Sequence, residues 1–265
     1  MPKFAANLTL LFNEVAFLDR FEKAAQAGFR GVEYLFPYAW QPGELRQRLD
    51  DWGLVQVLHN MPPGDWDAGE RGIACHPDRV EEFKRGVELA GEYALALGCR
   101  QLNCLAGLCP PGYEQGQLRD TLISNLQYAA EQLKPLGVRV LVEAINSRVD
   151  MPGFFLDSTS KALEVIAATG SDNLSYQYDV YHMQIMEGDL ARTLEQHLDI
   201  IGHIQIADNP GRHEPGTGEI NFDFLFQHLD RIGYQGWVSC EYRPLRETES
   251  GLGWLKALRA KGLAR

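Results

Sequence analysis

Apolar residues along this chain alternate between two periods. In FEKAAQAGFRGVEYLF the positions Phe21, Ala24, Ala25 and Gly28 repeat at helical spacing, Gly28 stops the helix, and Gly31–Tyr34 begins an extended run. The phrase returns as AGEYALALGCRQLNC, AAEQLKPLGVRVLVEA, LEQHLDIIGHIQIAD and HLDRIGYQGWVSCEY. In the first three of these, Gly98, Gly137 and Gly202 precede strands at Gln101–Cys104, Arg139–Glu143 and His203–Ala207. Weaker copies add strands at Phe4–Asn7, Leu54–His59 and Leu174–Asp179, the last after a helix around Ser158–Ala168. The strands end at Asn7, Glu33 or Tyr34, His59, Asn103, Glu143, Asp179, Gln205 and Glu241.

Strands that alternate with helices lie parallel and are joined by crossovers. Eight such units of about 33 residues each are the complement of a closed (β/α)8 barrel. The pattern therefore predicts the α/β class and a single TIM barrel filling residues 1–265 as one domain. An open doubly wound sheet is the competing architecture, but no GxGxxG turn follows the first strand.

Charge narrows the partners. With 25 Lys+Arg against 36 Asp+Glu the net charge is −11, and no dense basic tract interrupts it. Neither nucleic-acid phosphates nor an anionic membrane surface would be attracted. Apolar runs fall short of the ~20 residues of a membrane helix, and MPKFAANLTLLFNE does not read as a secretory signal. The five cysteines (Cys75, Cys99, Cys104, Cys109 and Cys240) show no CxxC pair, so reduced thiols in a cytoplasmic protein are expected.

A TIM barrel gathers its chemistry at the C-terminal ends of its strands. Four consecutive strands end there in oxygen-bearing side chains: Glu143, Asp179, Gln205 and Glu241. Carboxylates about 5 Å apart repel by about 3 kcal/mol per pair at an effective dielectric of 20. A divalent cation reverses that sign. All-oxygen ligands favour Mg2+ first and Mn2+ second, over zinc. The two glutamates also suit proton transfer: one removes a proton beside a carbonyl, the other returns it to the adjacent carbon. The ion would stabilise the enediolate between them.

Long segments now add a resemblance. HNMPPGDWDAGERGIACHPDR, QYDVYHMQIMEGDL, HIQIADNPGRHEPGTGEINFDFLF, YQGWVSCEYRP and the opening FAANLTLLFNEVAFLDRFEKAAQAGFRGVEYLFPY resemble the hydroxypyruvate isomerase family, over essentially the whole chain. The wider xylose-isomerase-like group also holds ketose 3-epimerases, 2-oxo-tetronate isomerases and metal-dependent abasic-site endonucleases. The resemblance implies interconversion of hydroxypyruvate and tartronate semialdehyde. It also implies catalytic Glu143 and Glu241 and metal positions at Glu143, Asp179, Gln205 and Glu241. The chain departs from the hydroxypyruvate form in EAINSRVDMPGF. There Ala144 replaces a common proline and the loop is longer by about one residue.

A small 2-oxo hydroxy acid would need a cation in this acidic protein. Arg212, on the loop after the seventh strand, is the first candidate for its carboxylate and Arg148 the weaker one. His59, at the end of the third strand, and His182, three residues beyond Asp179, are candidate donors to substrate oxygens. His203 shares parity with Gln205 and is expected deeper in the interior. Tyr34, Phe36, Tyr38, Trp40 and Trp66 would either roof the site or form a contact between copies in a homo-oligomer. GTG at Gly216–Gly218 reads as a turn, since no Lys-Ser/Thr completes a phosphate loop.

Competing functions share these residues. A four-carbon 2-oxo acid would make the protein a 2-oxo-tetronate isomerase. A ketose 3-epimerase is more distant, because its relatives tend to carry His where Gln205 stands. An endonuclease would need more histidine ligands and a basic groove. A non-catalytic acid-binding barrel would tolerate loss of either glutamate.

Overall fold

The structure, a computed structural model, describes residues 2–263. Strands β1 (Lys3–Asn7), β2 (Gly31–Glu33), β3 (Val55–Asn60), β4 (Gln101–Cys104), β5 (Arg139–Glu143), β6 (Leu174–Asp179), β7 (Ile201–Ile206) and β8 (Trp237–Cys240) close into one barrel in chain order. All pairings are parallel, and β8 returns to β1 through Lys3 opposite Trp237. Around it run helices α1 (Arg20–Gln26), α2 (Pro42–Trp52), α3 (Val80–Leu97), α4 (Gln115–Leu133), α5 (Thr159–Thr169), α6 (Val180–Met186), α7 (Leu190–Gln196), α8 (Phe222–Arg231), α9 (Thr248–Gly251) and α10 (Gly253–Ala260). This is the (β/α)8 barrel that the hydrophobic pattern predicts.

The helices form where the apolar spacing placed them. Along α3, Phe83, Val87, Ala90, Ala94 and Leu97 are buried on one face. Gly98 follows at φ +68°, the left-handed conformation that ends such helices. Ser158 caps α5 by accepting from the Lys161 amide at 3.3 Å. Gly202 departs from the pattern: β7 starts at Ile201, so this glycine lies inside the strand. A Cβ there would meet Leu141 Cδ2 and Ser175 Cβ at 2.9 Å, so close packing of the barrel interior, rather than a helix stop, accounts for it.

Two interior layers lie beneath the rim. At the N-terminal end, Ala5, Val57, Leu58 and Leu141 pack with Trp237. The indole fills the space over Gly31, whose added Cβ would lie 2.7 Å from Trp237 Cζ3, and Lys3 covers the ring at 5.2 Å.

Above this plug is a polar layer. Glu33 accepts from Asn7 Nδ2 at 2.9 Å, from Gln205 Nε2 at 2.8 Å and from His203 Nε2 at 2.7 Å. Gln177 Nε2 in turn donates to Gln205 Oε1 at 2.6 Å. Burial alone would raise the Glu33 carboxyl, but the His203 imidazole and its hydrogen-bond donors hold it below the usual range.

Among the described residues no helix is long and apolar enough to cross a membrane, and all five cysteines are free. The GTG segment is a turn built on Asp208, whose Oδ2 accepts from the Gly216 and Gly218 amides at 2.9 and 2.8 Å.

The plug is tight enough to test. Gly31→Ala forces a methyl into the Trp237 ring, and overpacking of this kind costs about 1–3 kcal/mol. The expected result is a melting temperature lower by roughly 2–10 °C. An unchanged melt would show that the ring moves freely.

Candidate functional site

The strand ends converge on a cavity of about 300 Å³ whose lining includes Glu143, Gln205, Glu241, Asn103, Gln177 and His182. Glu143 is the last residue of β5 and Asp179 the last of β6, while Glu241 is the first residue beyond β8. All four predicted oxygen ligands are buried: Glu143 is 5% exposed, Asp179 1%, Gln205 1% and Glu241 7%.

Local chain geometry aims these groups. Helix α6 starts directly after β6, so Asp179 is its N-cap. One oxygen, Oδ1, accepts from the Tyr181 and His182 amides at 2.7 and 3.2 Å. The other, Oδ2, lies 3.6 Å from His182 Nε2, which is also 4.0 Å from Glu143 Oε1. The ligand atoms of Glu143, Asp179 and His182 fall within 4.8 Å of one another. Such a buried cluster, oxygen-rich and without thiolate, is consistent with a divalent metal.

Asn146 holds His182 from the other side. Its Oδ1 accepts from the Val149 and Asp150 amides at 3.0 and 2.9 Å. Its Nδ2 faces Asp150 Oδ2 and His182 Nδ1, each at 2.7 Å. Nδ1 is thereby the acceptor, and while the ring holds no metal its proton sits on Nε2, toward the carboxylates. Burial pushes the His182 pKa down to about 4, so the ring is neutral at pH 7.

The carboxylates shift one another. Burial raises Glu143 well above the usual range, and Glu241 and Asp179 add to it; the Asn103 Nδ2 donor at 2.8 Å opposes them. Burial likewise pushes Glu241 up to about 8, with Arg212 opposing. Burial would lower Arg212, but Glu241, Asp179 and Asp150 outweigh that and keep it charged.

Several placements differ from expectation. Arg212 lines the cavity, but Nη1 is bound to Asp150 Oδ1 at 3.1 Å and Nη2 to Glu241 Oε1 at 3.3 Å, leaving only Nε without a partner. Two of its five N–H donors are therefore committed to protein carboxylates.

His59 is not in the cavity wall. β3 runs one residue further than expected, so Asn60 faces the cavity while His59 packs outward beside Tyr38, 6.2 Å between ring centroids. Its substrate role is corrected on that ground. Arg148 is exposed and donates to the Ile185 carbonyl, so it too falls outside the site.

Of the five aromatics considered, Trp66 lines the cavity and Phe36 packs on it at 5.0 Å. Sequence reasoning assigned no role to Gln177 or Asn103, although Gln177 shares parity with Asp179 and Asn103 is the next-to-last residue of β4. For Asp150, on a long loop, no local signal existed.

This cavity, at the C-terminal rim of a parallel (β/α)8 barrel, defines the class of protein: the family described as Xylose isomerase-like TIM barrel matches residues 21–258. Within it, the chain is 53% identical over 259 residues to the hydroxypyruvate isomerase of Escherichia coli strain K12, covering 98% of this chain and all of that one. It is 50% identical over 256 residues to the 2-oxo-tetronate isomerase of Cupriavidus necator, covering 97% and 98%. The crystal structure of an AP endonuclease, family 2, from Brucella melitensis superposes with a TM-score of 0.94 at 48% identity, over 97% of this chain and 99% of that one. The chain belongs to the hydroxypyruvate isomerase family within the xylose isomerase-like TIM barrels.

The shifted groups set a pH dependence for the metal-free protein. Glu241 titrates near 8 when folded and about 4.3 when unfolded, so its contribution to stability is lost as pH rises between those values. Glu143, also raised, acts in the same direction. His182, lowered to about 4 from about 6.5, acts oppositely: its contribution is lost as pH falls through that range. Between about pH 6.5 and 8 only the glutamate loss remains. Melting temperatures of chelator-treated protein should fall across this interval, and Glu241→Gln should flatten the slope. A wild-type profile already flat there would contradict the assignment.

Proposed function

We propose that this protein is a sugar-acid isomerase that interconverts hydroxypyruvate and tartronate semialdehyde. The observation that carries the reading is the pair of buried glutamates, Glu143 and Glu241, facing one cavity with both carboxyls raised above the usual carboxylate range. Groups tuned in this way exchange protons efficiently at neutral pH.

The reaction moves one proton between neighbouring carbons and one between their oxygens. One glutamate takes the proton from the hydroxymethyl carbon, and the other delivers a proton to the former carbonyl carbon. Asn103 binds Glu143 Oε2 and Arg212 binds Glu241 Oε1, which leaves the second oxygen of each carboxylate for this work. His182, with its proton on Nε2, donates to a substrate oxygen as the charge shifts. Leu10, Leu35, Leu105, Ile145, Met151 and Trp66 form the apolar part of the wall and exclude water from the intermediate.

The residues that would hold the metal are Glu143, Asp179, Gln205 and Glu241, with Mg2+ favoured and Mn2+ second. Gln205 can serve because its Oε1 keeps a lone pair beyond the Gln177 bond. When bound, the ion supplies positive charge opposite the negative charge that develops on substrate oxygen.

A second reading, a four-carbon 2-oxo-tetronate as substrate, is supported by the 50% identical relative of that name and by the altered loop after Glu143. Proton transfer would be the same. An endonuclease is disfavoured by the −11 charge and by a cavity wall with a single histidine among the described residues.

The two acids should be compared side by side with purified protein. Higher kcat/KM for hydroxypyruvate supports the proposal, and a reversed ratio moves the assignment to the four-carbon acid. Glu143→Gln and Glu241→Gln should each lower turnover by about 10²-fold or more with the melting curve retained. Ligand binding with no turnover by the wild type would instead indicate a non-catalytic barrel. Chelation should lower activity and Mg2+ restore it; full activity after metal stripping would remove the ion from the reaction.

A further inference from the structure

The cavity has two unlike walls. One holds Glu143 and Glu241, from the ends of β5 and β8, and Asp150 from the loop after β5, with Asp179 of β6 buried next to Glu143. Across from them, the loop between β3 and α3 contributes Trp66 and Arg71. Among the described residues no carboxylate pairs with Arg71. Its Nη1 donates to the Trp66 carbonyl at 3.0 Å and the Glu70 carbonyl at 2.7 Å, while Nε and Nη2 carry no protein partner. The guanidinium lies over the Trp66 indole, its Cζ 4.2 Å from the ring centroid.

That arrangement is built rather than incidental. Phe36 packs against Trp66, 5.0 Å between ring centroids. Glu70 is tied to Arg79 and to the Asp65 amide. Gly72, at φ +109°, leaves no room for a side chain, since a Cβ would fall 2.4 Å from the Leu105 carbonyl oxygen. The loop therefore fixes the plane of the Arg71 guanidinium before any ligand arrives. A planar cation with two free donors on one edge matches a carboxylate.

We infer that Arg71 is the residue that binds the substrate's carboxylate, so that the acid group points at the β3–α3 loop and the hydroxy-carbonyl end at Glu143 and Glu241. This rests on the isomerase reading above. It follows from charge as well as geometry. A carboxylate placed on the other wall would meet several buried acids, and the cation there, Arg212, already has both terminal nitrogens bound to protein carboxylates. Arg71 thereby selects acids over neutral sugars of equal length.

Glycerate, which carries the carboxylate but no carbonyl to isomerise, and neutral glycerol serve as binding probes by calorimetry on Mg2+-loaded protein. Wild type should bind glycerate in preference to glycerol. Arg71→Met should weaken glycerate binding by about 10–100-fold, the range for losing one charge-assisted contact. Arg71→Lys, which keeps the charge and the stem over Trp66, should lose less. Arg148→Met removes an equal charge from the exposed surface and should change nothing.

In turnover, the hydroxypyruvate KM should rise by a similar factor in Arg71→Met while kcat holds within about threefold, as expected for an interaction kept from ground state to transition state. No preference for glycerate in the wild type, or glycerate affinity within twofold in Arg71→Met and Arg71→Lys, overturns the inference. The two ideas fail separately. Arg71-dependent glycerate binding in a protein without isomerase activity leaves the anchor standing and removes the reaction. Hydroxypyruvate turnover with an unchanged KM in both Arg71 variants does the reverse.

Discussion

Three carboxylates buried at one end of a barrel are the constraint that the rest of the rim answers. Carboxylates about 5 Å apart repel by about 3 kcal/mol per pair, and buried ones have also lost their water. The protein assigns partners oxygen by oxygen. The first turn of α6 takes one oxygen of Asp179, Asn103 takes one of Glu143, and Arg212 takes one of Glu241. What remains is a set of unshared oxygens facing a common space, and protonation or a cation must balance them. The upward shift of both glutamates is the protein's response to the first alternative.

The floor beneath explains how this rim is kept in shape. Glu33 accepts three hydrogen bonds and has none to give, so the Gln205 amide must turn its NH2 downward and its oxygen upward. Gln177 then meets that oxygen. A chain of directional bonds thus links β1, β2, β6 and β7 across the barrel interior, where an apolar filling would have left the Gln205 side chain free to flip. Register supports it: Asp179 stands opposite Gln205 and Glu143 opposite Gln177 in the sheet.

Local rules made the barrel legible. Helical spacing, stop glycines and short β-rich runs place all eight strands, and Glu143, Asp179, Gln205 and Glu241 fall at the rim as their positions in those runs require. What local rules missed depended on offsets of one residue or on distant partners. His59 and Asn60 exchange faces because β3 extends one residue further, and the irregular register between Val32 and Glu33 moves Glu33 opposite Leu58. His182 reaches back to Asp179 because no loop separates β6 from α6. The engagement of Arg212 by Asp150, 62 residues earlier, has no trace in sequence spacing. Nor does the orientation of Arg71, which is set by backbone carbonyls in its own loop.

The Trp237 plug has a consequence for traffic. Among the described residues, the indole, Lys3 and the polar floor pack the N-terminal end of the barrel, so the reaction chamber opens toward the C-terminal rim. Whatever leaves must pass where the next molecule arrives. Product and substrate therefore exclude each other at every cycle, and net flux responds to their ratio outside the chamber. A chamber that opens toward one rim suits a reversible rearrangement of one molecule: nothing else has to be admitted, and no second product has to find another way out.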